Sequence, residues 1–139
     1  MLNLPVSEIM NDHPIKVKSD VSIRNVAHLL LRYRINGILV IDPARPEELA
    51  GVFTTADLLA LMDTVFMNGT KKMQALSAVA ERPVSDFVNR NFLSLQKDDN
   101  AAKAVALMHK RDALTIPVYD GNTLVGVVGR HDIINIAFA

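Results

Sequence analysis

Apolar and polar positions along this chain trace one series of elements twice. Ile15-Lys16-Val17 and Leu93-Ser94-Leu95 alternate with the two-residue period of a short, half-buried strand. A good helix N-cap, Ser22 or Asn100, follows each. Apolar residues then recur at helical spacing: Ile23, Val26, Ala27 and Leu30 in one stretch, Ala101, Ala104, Val105 and Met108 in the other. Two amphipathic helices are predicted. Gly37-Ile38-Leu39-Val40-Ile41 and Thr115-Ile116-Pro117-Val118-Tyr119 are apolar runs that stop at the turn signals Asp42-Pro43 and Asp120-Gly121-Asn122, as buried strands do. A third strand, Ala50 to Phe53 or Val125 to Val128, leads through Thr54 or Gly129 into a closing helix from about Asp57 or Asp132. Each half therefore reads β-α-β-β-α.

The duplication is also visible in the residues themselves. Val6-Ser7-Glu8-Ile9-Met10 recurs as Val84-Ser85-Asp86-Phe87-Val88, and the register holds without a gap until Asp42 meets Asp120. The first copy then carries three extra loop residues, after which Leu49-Ala50-Gly51-Val52 falls on Leu124-Val125-Gly126-Val127 and Asp57 on Asp132. The expected organisation is a repeat at 1–62, a helical connector at 63–79 and a repeat at 80–139. In and beside the connector, Asn68-Gly69 stops one helix and Lys71 to Ala80 forms the next. One copy alone is too short to bury a sufficient core. An α+β fold is expected in which the two copies pack their sheets with pseudo-twofold symmetry, leaving clefts between them.

Composition narrows the functions. Half of the 139 residues are hydrophobic and 22% are charged, ordinary values for a folded protein. Lys plus Arg and Asp plus Glu both number 15, so there is no basic excess for nucleic acid. Cysteine is absent, which removes disulfides, thiolate zinc sites and Cys nucleophiles together. No signal-peptide pattern and no membrane-length apolar run is present, so a soluble cytoplasmic protein is expected. His13, His28, His109 and His131 lack ligand spacing, and neither a Gly-x-Ser-x-Gly elbow nor a phosphate-loop motif occurs. Neither an enzyme nor a metal protein is expected.

Val-Ser-Glu-Ile-Met at 6–10, the Gly37 to Asp42 strand and the Leu49 to Leu59 stretch, each with its echo in the second copy, resemble a tandem pair of CBS domains, the Bateman module. The resemblance covers nearly the whole chain, so an attached enzyme or channel is not expected. It implies a regulatory module that binds adenosine-containing ligands such as AMP, ADP, ATP or S-adenosylmethionine in the clefts between repeats. Such a module would act on a partner protein in trans and pair into a homodimer. The alternative is a ligand-free module for dimerisation or protein interaction.

The resemblance also assigns roles to residues. Asp57 would receive the ribose hydroxyls and Thr54 would bond ribose or phosphate, a task suited to a carboxylate because it offers only acceptors. The plainer reading places Asp57 in a helix's first turn, stabilised by the helix dipole. In the second copy Asp132 is retained but Gly129 replaces the hydroxyl, and Arg130 and His131 stand where they could hold phosphate or simply be solvated. Ser94 takes the place of an adenine-binding Thr, and Lys16 departs from that pattern in the first copy. Ile38, Leu39, Ile116 and Pro117 would flank the purine, or serve only as core. The stretch Met62, Phe66, Met67, Met73 and Leu76 suggests an apolar helix face that packs internally or against a second copy.

Overall fold

The computed structural model describes residues 3–67 and 72–139; the Asn68-Gly69 turn and the side chain of Met73 fall outside the described residues. Its elements are β1 (Lys16–Lys18), α1 (Ile23–Tyr33), β2 (Gly37–Ile41), β3 (Leu49–Thr54), α2 (Thr55–Met67) and α3 (Lys72–Ala80), then β4 (Leu95–Gln96), α4 (Ala101–Lys110), β5 (Thr115–Asp120), β6 (Thr123–Gly129) and α5 (Arg130–Phe138). The α+β class and the doubled β-α-β-β-α order are as expected. Each copy forms its own three-stranded sheet, ordered β1-β2-β3 or β4-β5-β6, with the first pair parallel and the second antiparallel.

The N-caps act as their residue types predict. Ser22 Oγ accepts the N–H of Asn25, and Asn100 Oδ1 accepts that of Ala102. Two boundaries differ from expectation. The first strands begin one or two residues later, because pairing with the neighbouring strand starts at Lys16 opposite Leu39 and at Leu95 opposite Val118. The closing helices begin earlier, at Thr55 and Arg130, which places Asp57 and Asp132 inside the first turn. α1 stops in a left-handed residue, Arg34, and Asp112 repeats that conformation at the matching place after α4.

Packing divides the chain differently from the repeat. One compact unit is Lys16–Arg90; the other joins Met1–Ile15 to Asn91–Ala139. The stretch containing Val6-Ser7-Glu8 therefore folds with the second copy's sheet, and Val84-Ser85-Asp86 with the first. Both form short 3-10 turns, and both attach by the same backbone bonds. Val6 N–H donates to the Asp99 carbonyl (2.7 Å), Ser7 N–H to Lys97 (2.9 Å), and Ala101 N–H, at the start of α4, to Leu4 (2.8 Å). In the 16–90 unit the equivalents are Val84 to Val21 (2.8 Å), Ser85 to Ser19 (3.0 Å) and Ile23 to Arg82 (3.0 Å). Each segment thus satisfies a helix N–H that would otherwise lack a partner. Each also buries an anchor, since Val6 and Val84 are both 0% exposed. In the 91–139 unit, Val6 and Ile9 join Leu95, Ile116, Val118 and Val128 in one core cluster.

The segment then crosses the third strand at a glycine. Asn11 and Val127 exchange N–H···O bonds at 2.8 and 3.0 Å, as Asn89 and Val52 do at 3.1 and 3.0 Å. A Cβ on Gly126 would lie 2.8 Å from the Asn11 carbonyl oxygen and 2.6 Å from Met10 Sδ; one on Gly51 would lie 2.5 Å from the Asn89 oxygen. Because the obstacle includes backbone, the neighbour cannot simply change rotamer. Gly51→Ala and Gly126→Ala should each destabilise the protein by about 1–3 kcal/mol in urea unfolding, the range for overpacking. Variants that unfolded like the wild type would show that the crossings relax freely.

Candidate functional site

Both sheets gather the predicted polar residues at one end, for a topological reason. β1 and β2 run parallel, so their starts lie together, and antiparallel β3 ends where β2 begins, with Gly37 opposite Thr54. Lys16, Ile38 and Thr54 therefore share an end of the sheet, and α2 leaves from it carrying Asp57. The other unit repeats the arrangement, with Ser94 just ahead of β4, Thr115 opposite Gly129, and Asp132 in the first turn of α5.

Thr54 and Asp57 form a reciprocal cap. Thr54 N–H donates to Asp57 Oδ2 (2.9 Å), the Thr54 hydroxyl donates to the same oxygen (3.1 Å), and Asp57 N–H donates to Thr54 Oγ1 (3.2 Å). Asp57 Oδ1 receives no hydrogen bond recorded among the described residues. Half of this device survives in the second copy, where Gly129 N–H donates to Asp132 Oδ2 at 2.7 Å but no hydroxyl returns the bond. The helix-turn reading of Asp57 is thus built into the structure through one carboxylate oxygen.

Asp132 is half-buried, and burial raises its pKa above the ordinary carboxylate value; the Gly129 N–H and the nearby His131 pull it back in part. Beside it lies a depression of about 260 Å³ lined by Glu8, Ile9, Asn135 and Ile136. Sequence reasoning did not name Glu8 or Asn135 as site residues. Asn135 carried a usable signal, being the polar residue in Ile133-Ile134-Asn135-Ile136 and one turn beyond Asp132. Glu8 belongs to the repeated Val6–Met10 motif, which carries no site signal of its own. It makes no recorded ion pair among the described residues, whereas its counterpart Asp86 is held by Arg82 at 2.9 Å, with that guanidinium stacked 4.7 Å from the Phe87 ring centre.

The remaining candidates fall into two groups. Ile38, Leu39, Ile116 and Pro117 have their side chains in the core, each less than 2% exposed, so they offer a ligand backbone rather than side-chain surface. Lys16, Ser94, Arg130 and His131 are exposed at the same sheet ends, and none of them lines the Asp132 depression.

The sequence model of the CBS domain matches residues 6–64 and again 84–138. The chain belongs to the CBS domain family. It is 29% identical over 133 residues to the A-adding tRNA nucleotidyltransferase of Aquifex aeolicus, covering 96% of this chain and 14% of that protein. Across the curated relatives it matches, the chain spans between 14% and 38% of their length. Among solved structures it resembles a CBS-domain containing protein from Agrobacterium tumefaciens (TM-score 0.80, 21% identity, 97% of this chain and 100% of that one). It also resembles the CBS domain pair of protein MJ0100 in complex with 5-methylthioadenosine and S-adenosyl-L-methionine (TM-score 0.71, 24% identity, 96% and 95% covered). A third is CBSX2 in complex with AMP (TM-score 0.72, 24% identity, 96% and 95% covered). Among the described residues, no helix is long and apolar enough to cross a membrane.

Two stability outcomes follow from the half-built cap. A Cβ on Gly129 meets nothing closer than 3.6 Å, and its backbone is extended, so Gly129→Thr should complete the reciprocal cap. Thermal or urea unfolding should show a gain of a few tenths to about 1 kcal/mol. For Asp132, the native pKa lies above the unfolded one, so its contribution favours folding at low pH and is lost as pH rises through the native value. Asp132→Asn keeps an acceptor for the Gly129 N–H without the buried charge. The variant should be more stable than wild type at neutral pH, with the gap shrinking as the solution is acidified through the carboxylate range; a pH-independent gap would contradict this.

Proposed function

We propose that this CBS domain pair is a cytoplasmic ligand-sensing module that binds an adenosine-containing molecule, AMP, ADP, ATP or S-adenosylmethionine, and modulates a partner protein in trans as a binding module rather than a catalyst. The observation that carries the reading is the pair of first-turn aspartates. In both copies one oxygen is tied to the N-cap and the carboxylate sits at the sheet end beside the strand residues. Family resemblance supplies the ligand class, since CBSX2 is described with AMP and the MJ0100 pair with two adenosine compounds. Asp57, aided by Thr54, receives the ribose hydroxyls in one site and Asp132 in the other. Lys16 and Ser94 stand on the purine side, with backbone groups of Ile38, Leu39, Ile116 and Pro117. Arg130 and His131 address phosphate at the start of α5.

Isothermal titration with adenosine, AMP, ATP and S-adenosylmethionine tests the reading. Asp57→Asn and Asp132→Asn preserve the cap acceptor, so each should stay folded. The variant in an occupied site should bind about ten- to a hundred-fold more weakly, the scale of hydrogen bonds to a charged group. Arg130→Ala should weaken ATP more than adenosine. If no adenosine compound binds at millimolar concentration, the interaction-module reading replaces this one.

That second reading has its own observation. Leu59 (64% exposed), Met67 (78%), Ile134 (50%) and Phe138 (85%) present apolar side chains from α2 and α5. We propose that these apolar helix faces, that of α2 in the 16–90 unit and that of α5 in the other, each contribute to pairing two copies as a homodimer, compatible with ligand binding. Sedimentation at micromolar concentration should give about twice 15.3 kDa, and Leu59→Lys with Ile134→Lys should return the monomer. A monomer at every concentration would refute the pairing.

A further inference from the structure

The three helices of the 16–90 unit leave space between them. Leu58, Leu61 and Met62 of α2 and Leu76 and Val79 of α3 line a cavity of about 260 Å³, with α1 as its third wall. The two copies differ in burial at this place. Leu58 corresponds to Ile133, which is buried at 7% exposure in the 91–139 unit. α2 is the more apolar of the two helices in sequence, yet none of its residues is buried. The connector helix α3, which lies outside both family matches, contributes Leu76, Ser77, Val79 and Ala80 to the lining.

The lining residues of α2 also point away from the α2 residues offered for pairing. At 100° per residue, Leu58, Leu61 and Met62 point about two-fifths of a turn away from the mean direction of Leu59 and Met67. The polar groups at the cavity's edge set the charge of an occupant. Arg24 Nε donates to Glu81 Oε1 at 2.7 Å, so the one guanidinium in the lining is already matched by a carboxylate. His28 and Ser77 add hydrogen-bonding atoms to otherwise apolar walls. A carboxylate ligand would compete with Glu81 for Arg24; an uncharged molecule with one polar group would not. The cavity is a half-open cleft rather than an enclosed void, and its volume of about 260 Å³ suffices for a single ring or a short aliphatic chain.

We propose that this three-helix cavity is a binding site for a small uncharged apolar molecule, such as an aliphatic alcohol or a single aromatic ring, distinct from the sites at Asp57 and Asp132. Titration of the full chain with 1-hexanol and benzyl alcohol, followed by methyl chemical shifts and thermal unfolding, tests it, with octanoate as the charged control. Both neutral probes should bind saturably and raise the unfolding temperature. Ala27→Leu, which fills the cavity from α1, should stabilise the free protein and weaken the probes about ten-fold or more. Ala80→Leu fills it from α3 and should do the same, so misfolding of one variant leaves the question open to the other. Absence of saturable binding overturns the proposal, as does unchanged affinity in the folded filled variants or octanoate binding as tightly as 1-hexanol. Self-association abolished by Ala27→Leu without probe binding would make the cavity a seat for a second copy, and also overturns it.

Discussion

The structure depends on two backbone crossings, Asn11 over Val127 and Asn89 over Val52, each made at a strand where a glycine leaves no side chain in the way. Around each crossing a short segment supplies a carbonyl to a helix start, pairs with a loop and sets a fully buried valine into the core. Without it, α1 and α4 would each lack a partner for a first-turn N–H, and the third strand would present an unpaired edge. Neither copy of the repeat makes a complete unit from its own residues, because the closing segment is drawn from the other copy's stretch of sequence. Folding of each unit thus requires pairing between residues far apart in the chain, a source of cooperativity between the two copies.

The same economy governs the candidate site. A first-turn aspartate serves a helix cap through one oxygen, which orients the carboxylate at the end of the sheet. Its role as a cap accounts for its placement, whether or not a ligand is bound. The two copies then diverge in ways that change local electrostatics. Thr54 completes the first cap, whereas Gly129 leaves the second half-built beside a carboxylate whose burial opposes its charge. Arg82 pairs with Asp86 in one unit, while the corresponding Glu8 lines the Asp132 depression. The two sheet ends thus share one pattern but differ in capping and local charge, and the closing segment, not only the helix, contributes to that difference.

Much was legible from the chain alone because it depends on local preference and period. Strand alternation, helical spacing, the caps at Ser22 and Asn100 and the two-residue Gly121-Asn122 turn each follow from residues adjacent in sequence, and reading them twice doubled the signal. The Thr54-x-x-Asp57 spacing was likewise sufficient to mark the first turn of α2. Strand starts shifted because register is set by the neighbouring strand, which lies beyond any local window.

What only the tertiary structure decided is which copy of the closing segment folds onto which sheet, and hence that Glu8 stands beside Asp132. Val6-Ser7-Glu8 and Val84-Ser85-Asp86 are nearly interchangeable as strings, so no local preference distinguishes the two arrangements. Burial of Ile38, Leu39, Ile116 and Pro117 as core rather than ligand surface, and the cavity left by α3, were undetermined for the same reason. The sequence determined an apolar residue at each of those positions; whether a neighbour, a void or a ligand meets it is a property of packing between distant segments, which periodicity does not encode.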